Sequence, residues 1–261
     1  MRSGRRGMTS GTEPQPHPPK LSLIVPAFNE EARIAIALER IAVYLETLPV
    51  PTEIIVVDDG SAESGRRAVN TAIAELPEGL ARVIRHEANR GKGAAVRTGA
   101  LAAQGDYIAF IDADLASPPE DLTGLLQALE SGADVAIGVR RQADGSDMRS
   151  RRGVARRLAG QAYAQAMRLL LLPDIDDSQC PLKAFRRSAA QRLFVLQQVE
   201  TWAFDAELLF LARKLRLHVV QVPVSWRAVA GSHLRLEPRM AEELLNLLRI
   251  RWAHRNVHPD A

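Results

Sequence analysis

Residues 107–114 read YIAFIDAD, a short apolar run that ends in two aspartates separated by one alanine. The run at 107–111 predicts a buried β-strand, because a strand covered on both faces is apolar at nearly every position. Asp112 and Asp114 follow this strand directly. In an open α/β sheet, ligands bind outside the carboxyl ends of the strands, so we expect both carboxylates to lie at a binding site.

The rest of the first half alternates between short apolar runs and segments with apolar residues at helical spacing. Predicted strands cover residues 21–27, 53–57, 81–85, 107–111 and 133–139, and predicted helices cover residues 30–48, 62–76, 94–103 and 118–130. This alternation predicts an α/β fold, in which a mostly parallel sheet of the nucleotide-binding kind carries helices on both faces.

The second half of the chain is less regular. It predicts a polar loop at 140–152, helices at 154–172, 204–214 and 241–252, an extended segment at 178–185 and a strand at 217–223. Because no linker separates the halves, we expect residues 20–253 to form a single domain. Residues 1–19 lack an apolar pattern and predict a disordered tail, and residues 254–261 predict a second tail.

Composition indicates an ordinary globular protein, with 46% hydrophobic and 25% charged residues. No apolar run reaches the roughly 18–20 residues that span a bilayer. The arginines near the N-terminus are not followed by the apolar segment of a secretory signal. We therefore expect a cytoplasmic location. The single cysteine, Cys180, cannot form an intramolecular disulfide, which agrees with that expectation.

The two aspartates of the DAD segment suit a divalent cation. Mg²⁺ prefers oxygen ligands and typically takes one or two carboxylates together with substrate phosphates. The alternative is an ordinary turn in which Asp114 or Ser117 caps the next helix. Two further predicted strands end in polar residues, at 58–61 (DDGS) and at 26–30 (PAFNE). Three strands that deliver such groups to one sheet edge favour a binding site.

The glycine-rich segment 89–93 (NRGKG) follows the third predicted strand and begins a helix. A helix N-terminus of this kind favours anions. The dinucleotide fingerprint does not fit, because Val96 stands where its third glycine belongs and the segment does not follow the first strand. The phosphate-binding loop of nucleoside triphosphatases does not fit either, since its G-K-[ST] signature is missing.

Several segments together resemble family 2 glycosyltransferases. In the first half they are LSLIVPAFNEEARI (21–34), EIIVVDDGSAESG (53–65) and HEANRGKGAAVRTGALAAQGDYIAFIDADLASPPEDL (86–122). In the second half, DSQCPLKAFRR (177–187), WAFDAELLFLARKL (202–215) and VPVSWRAVAGSHLR (222–235) resemble dolichyl-phosphate β-glucosyltransferases and prokaryotic polyprenyl-phosphate relatives.

This resemblance implies a GT-A fold, a nucleotide-sugar donor, Mg²⁺ or Mn²⁺, and inversion at the anomeric carbon. It also implies the roles of residues at matching positions. The nucleotide-binding residues would be Pro26, Ala27, Glu30, Asp58, Lys92, Asp112 and Ala113. Asp112 and Asp114 would hold the metal, with Asp114 also counted among the catalytic residues. Gln179, Trp202 and Ser232 would lie on the sugar or acceptor side.

The acceptor that the resemblance implies is a polyprenyl or dolichyl phosphate, with glucose from UDP-glucose as the transferred sugar. A lipid phosphate is already an anionic nucleophile, so it needs a cationic cradle more than a general base. Arg140, Arg152 and Arg156 are the candidates, the last two on one helical face. For the neighbouring arginines the alternative is a basic surface that only contacts solvent; these are Arg141, Arg149, Arg151 and Arg157.

Two other functions stay open at the level of sequence. If the acceptor were a saccharide or protein hydroxyl, Asp205 would be the natural general base. Otherwise Asp205 is an acidic residue in the first turn of a helix. Mannosyl transfer from GDP-mannose is the second alternative. A non-catalytic binding module is disfavoured by the acidic cluster, and we expect no nucleic-acid partner.

Two predicted helices, 154–172 and 241–252, combine apolar faces with arginines. Helices of this type can lie in a membrane interface, although core helices share the pattern. With a lipid acceptor in view, we expect peripheral contact with an anionic membrane on the cytoplasmic side.

Overall fold

A computed structural model describes residues 18–140, 165–227 and 239–259 of the chain. Its sheet has seven strands in the order β3-β2-β1-β4-β6-β5-β7. The strands are β1 (Leu21–Ala27), β2 (Thr52–Asp58), β3 (Ala81–Arg85), β4 (Tyr107–Phe110), β5 (Val135–Val139), β6 (Lys183–Arg186) and β7 (Val219–Pro223). Only the pairs made by β6 are antiparallel. The predicted α/β fold with a mostly parallel sheet is therefore confirmed.

The helices follow the predicted order, with one addition. They are α1 (Ile34–Glu46), α2 (Glu63–Ala74), α3 (Lys92–Ala102), α4 (Leu122–Glu130), α5 (Arg187–Leu196), α6 (Phe204–Lys214) and α7 (Arg239–Ala253), and a 3₁₀ turn at Pro119–Asp121 precedes α4. Helix α1 begins after its predicted start because Asn29 has a left-handed φ of 53° and residues 31–33 form a turn. Helix α5 was not predicted, although Ala189, Leu193 and Phe194 bury one of its faces.

Hydrophobic residues cover both faces of the sheet. One cluster contains Ile24, Val57, Phe110, Phe185 and Phe204 and lies under α3, α5 and α6. The other contains Leu23, Val25, Ile34, Leu38 and Leu125 and lies under α1 and α4. Adjacent residues of β1 belong to opposite clusters, because successive side chains of a strand point to opposite faces. The molecule thus has three layers, with helices on both sides of the sheet.

Strand β6 joins the two halves of the sequence in one sheet. It inserts between β4 and β5, and Lys183 lies opposite Phe110 on one side and Ile137 on the other. Phe110 is two residues before Asp112, so this register brings a lysine from the second half of the chain towards the DAD segment.

The packed part of the structure extends beyond residue 253, where the sequence predicted a tail. His254 is buried, and the carbonyl of Pro259 accepts a hydrogen bond of 2.7 Å from Arg192. The predicted N-terminal tail lies almost entirely outside the described residues, as does the predicted helix up to residue 164; residues 165–170 are helical. Across the described ranges, we find no helix with the length and apolar character needed to cross a membrane.

Candidate active site at the carboxyl edge of the sheet

Strands β1, β2 and β4 deliver the candidate residues to one edge of the sheet. Ala27 at the end of β1 pairs in register with Asp58 at the end of β2. The DAD segment follows β4, whose parallel pairing with β1 carries it to the same edge. Of the nearby candidates, Ala27 and Ala113 are buried and Pro26 is half-buried. These residues therefore belong to the covered part of this edge.

Asp58 is fully buried at this edge. Its Oδ1 accepts a hydrogen bond of 3.0 Å from the backbone N–H of Ser61, and its Oδ2 lies 3.6 Å from Nε of Arg85. That ion-pair distance exceeds a hydrogen bond, and Asp58 Oδ2 has no hydrogen-bond partner. A buried acceptor without a donor is uncommon in folded proteins and is consistent with a ligand N–H or O–H as the missing partner.

Asp59 fixes the turn that leads into α3. Its Oδ1 accepts a hydrogen bond from the backbone N–H of Arg90 at 3.0 Å, and its Oδ2 accepts one from Gly91 at 2.8 Å. His86 contacts the same carboxylate at 2.6 Å, with its other ring nitrogen 2.9 Å from Thr98. Asp59 therefore has a positioning role, and the position of the first residue of α3 depends on it.

That first residue, Lys92, points at the DAD segment. Its Nζ lies 2.6 Å from Oδ1 of Asp112 and 5.0 Å from the ring centre of Trp202. Burial acts to lower the pKa of Lys92, but the negative charges of Asp112, Asp205 and Asp114 outweigh it, so the pKa is raised and the ammonium stays charged. Lys92 therefore lies beside the DAD segment, and Trp202 is brought to the same site; the nucleotide-binding role of Lys92 stays a prediction.

Asp114 is the second carboxylate of the pair. Its Oδ1 accepts a hydrogen bond of 3.0 Å from the backbone N–H of Ala116. Burial, and next the negative charge of Asp112, raise the pKa of Asp114. The turn that the sequence offered as an alternative is thus present. It does not exclude cation binding, because a carboxylate can accept one hydrogen bond and still coordinate a metal.

The donor set fits a divalent cation that shares its coordination with a substrate. Among the described residues, no group of three or more His, Cys, Asp or Glu side chains could hold a metal ion. Two carboxylates alone are nevertheless the usual protein contribution to a Mg²⁺ site, with phosphate oxygens and waters as the other ligands. The electrostatic strain between Asp112 and Asp114 is what a cation would relieve.

Asp205 lies in a buried ion pair at the start of α6. Nζ of Lys183 donates to Asp205 Oδ1 and to the carbonyl of Cys180, each at 2.6 Å, and neither charged side chain is exposed beyond 5%. Burial raises the pKa of Asp205, against the opposing charge of Lys183. The sequence placed Asp205 at the helix start correctly. It did not identify Lys183, whose signal is a lysine within an otherwise apolar run.

Arg140, the arginine expected to bind an acceptor phosphate, has a carboxylate partner in the structure. Its guanidinium donates to both oxygens of Asp177, at 2.7 and 2.8 Å, and lies 5.6 Å from the ring centre of Trp226. This bidentate pair was not anticipated from sequence. Arg152, Arg156 and Ser232, also expected at the acceptor side, lie outside the described residues.

The remaining candidates lie around this edge with ordinary contacts. Glu30 forms an ion pair of 3.5 Å with Arg33, and Gln179 is exposed. Cys180 is fully buried, and burial raises the pKa of its thiol to about 11. The thiol is therefore protonated at neutral pH, which agrees with the small core residue that the sequence suggested.

A second buried pair links the C-terminal segment to this region. Glu207 accepts hydrogen bonds from the backbone N–H groups of Gln198 and Val199 at 3.0 and 2.8 Å, and His254 contacts it at 2.7 Å. The loop so held packs on α3, where an added Cβ at Gly93 would come within 2.7 Å of the Val199 carbonyl. No local signal connects residues so distant in sequence.

Comparison with known proteins agrees with this architecture. The profile described as Glycosyl transferase family 2 matches residues 22–194. A dolichyl-phosphate beta-glucosyltransferase of Dictyostelium discoideum is 32% identical over 243 residues, which cover 90% of this chain and 74% of that protein. Proteins of the same name are 37% identical in Drosophila melanogaster, over 82% of this chain and 69% of the relative, and 33% identical in Homo sapiens, with the same coverage.

Solved structures with the same fold include glucosyl-3-phosphoglycerate synthase of Mycobacterium tuberculosis. Its complex with Mn²⁺, UDP and glucosyl-3-phosphoglycerate superposes with a TM-score of 0.66 at 21% identity, over 96% of this chain and 86% of that one. Its complex with Mg²⁺ and UDP has a TM-score of 0.66 at 22% identity, over 89% and 79%. At this identity the likeness concerns the fold, and that fold is of the GT-A type.

The family match spans the strands that build the candidate site, from β1 through β6. The relatives extend the similarity over most of the chain, and the superposed structures share its sheet architecture. The chain therefore belongs to glycosyltransferase family 2, as an enzyme with a GT-A fold.

Proposed function

We propose that this enzyme transfers glucose from UDP-glucose to a polyprenyl or dolichyl phosphate, with inversion at the anomeric carbon. The observation that carries the proposal is the convergence of Asp58, Asp112 and Asp114 on one sheet edge, in a chain similar to dolichyl-phosphate glucosyltransferases. Asp58 supplies an unmatched buried acceptor for the nucleoside. Asp112 and Asp114 supply carboxylates beside the diphosphate.

Mg²⁺ or Mn²⁺, when bound, would offset the charge that develops on the departing nucleoside diphosphate. Asp114 and Asp112 would hold it, in accord with the fit described above. Lys92 adds a positive charge on the same side. Trp202 forms an aromatic wall next to that ammonium, where a sugar ring can pack.

The environment of Asp205 supports a phosphate acceptor over a hydroxyl acceptor. A hydroxyl nucleophile needs a base within hydrogen-bond reach of its proton. Asp205 is buried and paired with Lys183, so its carboxylate does not face the solvent side from which an acceptor would approach. A lipid phosphate needs no such base, and the expected roles of Arg140, Arg152 and Arg156 in holding it stay predictions.

A donor and acceptor panel tests the proposal. Purified enzyme is incubated with labelled UDP-glucose, UDP-galactose or GDP-mannose and Mg²⁺, with polyprenyl phosphate and a free saccharide as competing acceptors. The label on the lipid in the organic phase and on the saccharide in the aqueous phase is counted. We expect label from UDP-glucose only. Label transferred from GDP-mannose would show that GDP-mannose, and not UDP-glucose, is the donor. Label on a free saccharide instead of the lipid would establish a hydroxyl acceptor.

Asp58→Asn is expected to weaken UDP binding by about 1–3 kcal/mol, the usual cost of leaving a buried hydrogen-bond group unmatched. The amide has a similar size but cannot accept a hydrogen bond at both of its terminal atoms. Calorimetric titration with UDP measures the change. Glu53→Gln, at the opposite end of β2, is the matched control and should bind UDP normally. Equal affinity in wild type and Asp58→Asn would leave Asp58 with a turn role only.

The exposed face of α7 supports contact with a membrane that carries the lipid acceptor. Leu245, Leu248 and Trp252 share one side of the helix, with 52%, 51% and 68% of each residue exposed. Arg255 lies over the Trp252 ring, and Arg251 is exposed nearby. An apolar stripe beside cationic side chains suits the interface of an anionic bilayer.

Replacing Leu248 and Trp252 together by serine is expected to reduce sedimentation with anionic vesicles by about tenfold, because their apolar area no longer enters the bilayer. The matched control is the double variant Ile36→Ser and Val43→Ser, which removes exposed apolar residues from α1 instead. Unchanged sedimentation of the α7 variant would exclude this face as the membrane contact.

A further inference from the structure

The backbone that carries Lys92 to the candidate metal position is held by hydrogen bonds and close packing. The backbone N–H groups of Arg90 and Gly91 both donate to Asp59. Gly91 has a φ of 108°, and a Cβ there would come within 2.5 Å of the Glu200 carbonyl. The start of α3 is thus fixed by close packing, and only the flexible lysine side chain is able to change its partner.

The charges around Lys92 show why it stays on Asp112. Asp112, Asp114 and Asp205 all act on its ammonium. Lys183, a second buried cation of this region, is already bound to Asp205 and to the carbonyl of Cys180. Lys92 is therefore the cation in direct contact with Asp112, while the charge of Arg33 also acts on Asp114.

We propose that Lys92 is an internal counterion that occupies part of the divalent-cation position at Asp112 and is displaced when metal and donor bind. This rests on the metal site of the proposed function. An ammonium 2.6 Å from Asp112 Oδ1 and a divalent cation on the same carboxylate repel each other. Binding of the metal and retention of the Lys92–Asp112 contact therefore oppose each other.

The displaced ammonium keeps a second partner. Nζ lies over the Trp202 ring at 5.0 Å while it contacts Asp112, and this cation–π contact does not depend on the Asp112 contact. A donor diphosphate bound beside the metal offers an anionic partner in exchange for Asp112. Lys92 then opposes metal binding in the free enzyme and favours donor binding once the metal is present. The two effects have opposite signs, which separates this role from a purely structural one.

The test measures Mn²⁺ binding by electron paramagnetic resonance, without donor, in wild type and in Lys92→Met. We expect Mn²⁺ to bind Lys92→Met about tenfold more tightly, since a unit positive charge beside the metal is removed. At saturating Mn²⁺, calorimetry should show UDP binding about tenfold more weakly to the same variant. Lys92→Arg keeps the charge and should retain the wild-type Mn²⁺ affinity.

Arg90→Met is the matched control, because it removes a cation from the same turn whose partner is the exposed Glu200. It should change neither affinity by more than about twofold. If Lys92→Met proves insoluble, Lys92→Gln is used in its place. Mn²⁺ affinity that is unchanged or weaker in the uncharged variant overturns the counterion role.

Failure of the metal site itself has a different signature. If wild type binds no Mn²⁺ even with UDP, both the metal site and the counterion role are excluded. If wild type binds Mn²⁺ with UDP and Asp114→Asn does not, the metal site stands. Equal Mn²⁺ affinity in wild type and Lys92→Met then removes the counterion role alone.

Discussion

Asp114→Asn is expected to lower the rate of sugar transfer by about a thousandfold. A metal bound at this carboxylate would lower the activation barrier by several kcal/mol, because it would stabilise the negative charge that develops on the leaving diphosphate. The amide preserves the size of the side chain. Its carbonyl oxygen is still able to accept the hydrogen bond that Asp114 receives from Ala116. The fold should therefore persist, while the metal would lose one of its two carboxylate ligands.

The measurement is the initial rate of transfer at saturating UDP-glucose and lipid phosphate, across a Mg²⁺ titration. Asp121→Asn is the matched control, since Asp121 also accepts a backbone hydrogen bond, from Ser225 at 2.7 Å, and also has a pKa raised by burial. It should retain nearly full activity. Normal rates in Asp114→Asn, or full wild-type activity with excess chelator, would refute metal dependence through this residue.

Lys183→Met is expected to reduce the free energy of unfolding by about 3–5 kcal/mol, as is usual when one partner of a buried ion pair is removed. Lys183 is fully buried, and its ammonium is bound to both Asp205 and the carbonyl of Cys180. Without it, Asp205 would have to stay charged without its partner or become protonated at neutral pH. Urea unfolding followed by circular dichroism measures the loss.

A double variant separates the ion pair from general disruption of the core. Lys183→Met with Asp205→Leu removes both charges and should recover most of the lost stability, since a well-packed apolar pair is often as stable as a buried salt bridge. Lys20→Met provides the exposed comparison, because Lys20 pairs with Asp106 on the surface at 2.9 Å. Its unfolding midpoint should barely move. A similarly small change in Lys183→Met would contradict the structural role of the pair.

Most of the sheet and the position of its site could be predicted from the sequence. Strand β4 was evident because a covered strand is apolar at successive positions, and the DAD segment directly follows it. The N-terminus of α6 was evident from an apolar pattern of helical period that starts at Phe204. These signals are local, since each depends on residues within a few positions of one another.

The family and the fold type were also accessible from sequence, through motifs that recur in a fixed order. These motifs place Asp58 at the end of β2, and Asp112 and Asp114 just after β4. In a parallel sheet, strand ends of the same direction meet at one edge, so proximity follows from topology alone. The acidic character of the site was therefore predictable before any side-chain contact was known.

The partners of the charged side chains were decided by tertiary structure. Lys183 meets Asp205 because β6 inserts antiparallel between β4 and β5 and α6 packs below it. A hydrophobic pattern tells which face of a strand is buried but not which strand lies beside it. The insertion of β6 therefore could not be inferred from its own residues.

The same reason accounts for the contacts of Arg140 with Asp177, His254 with Glu207 and Lys92 with Asp112. Each pair joins residues far apart in sequence, so its geometry depends on how whole elements pack. Local sequence determined where the strands, most of the helices and the acidic strand ends of this protein lie. Only the packing of those elements decided which cation neutralises which carboxylate, because that choice depends on distances of a few Å between side chains from different elements.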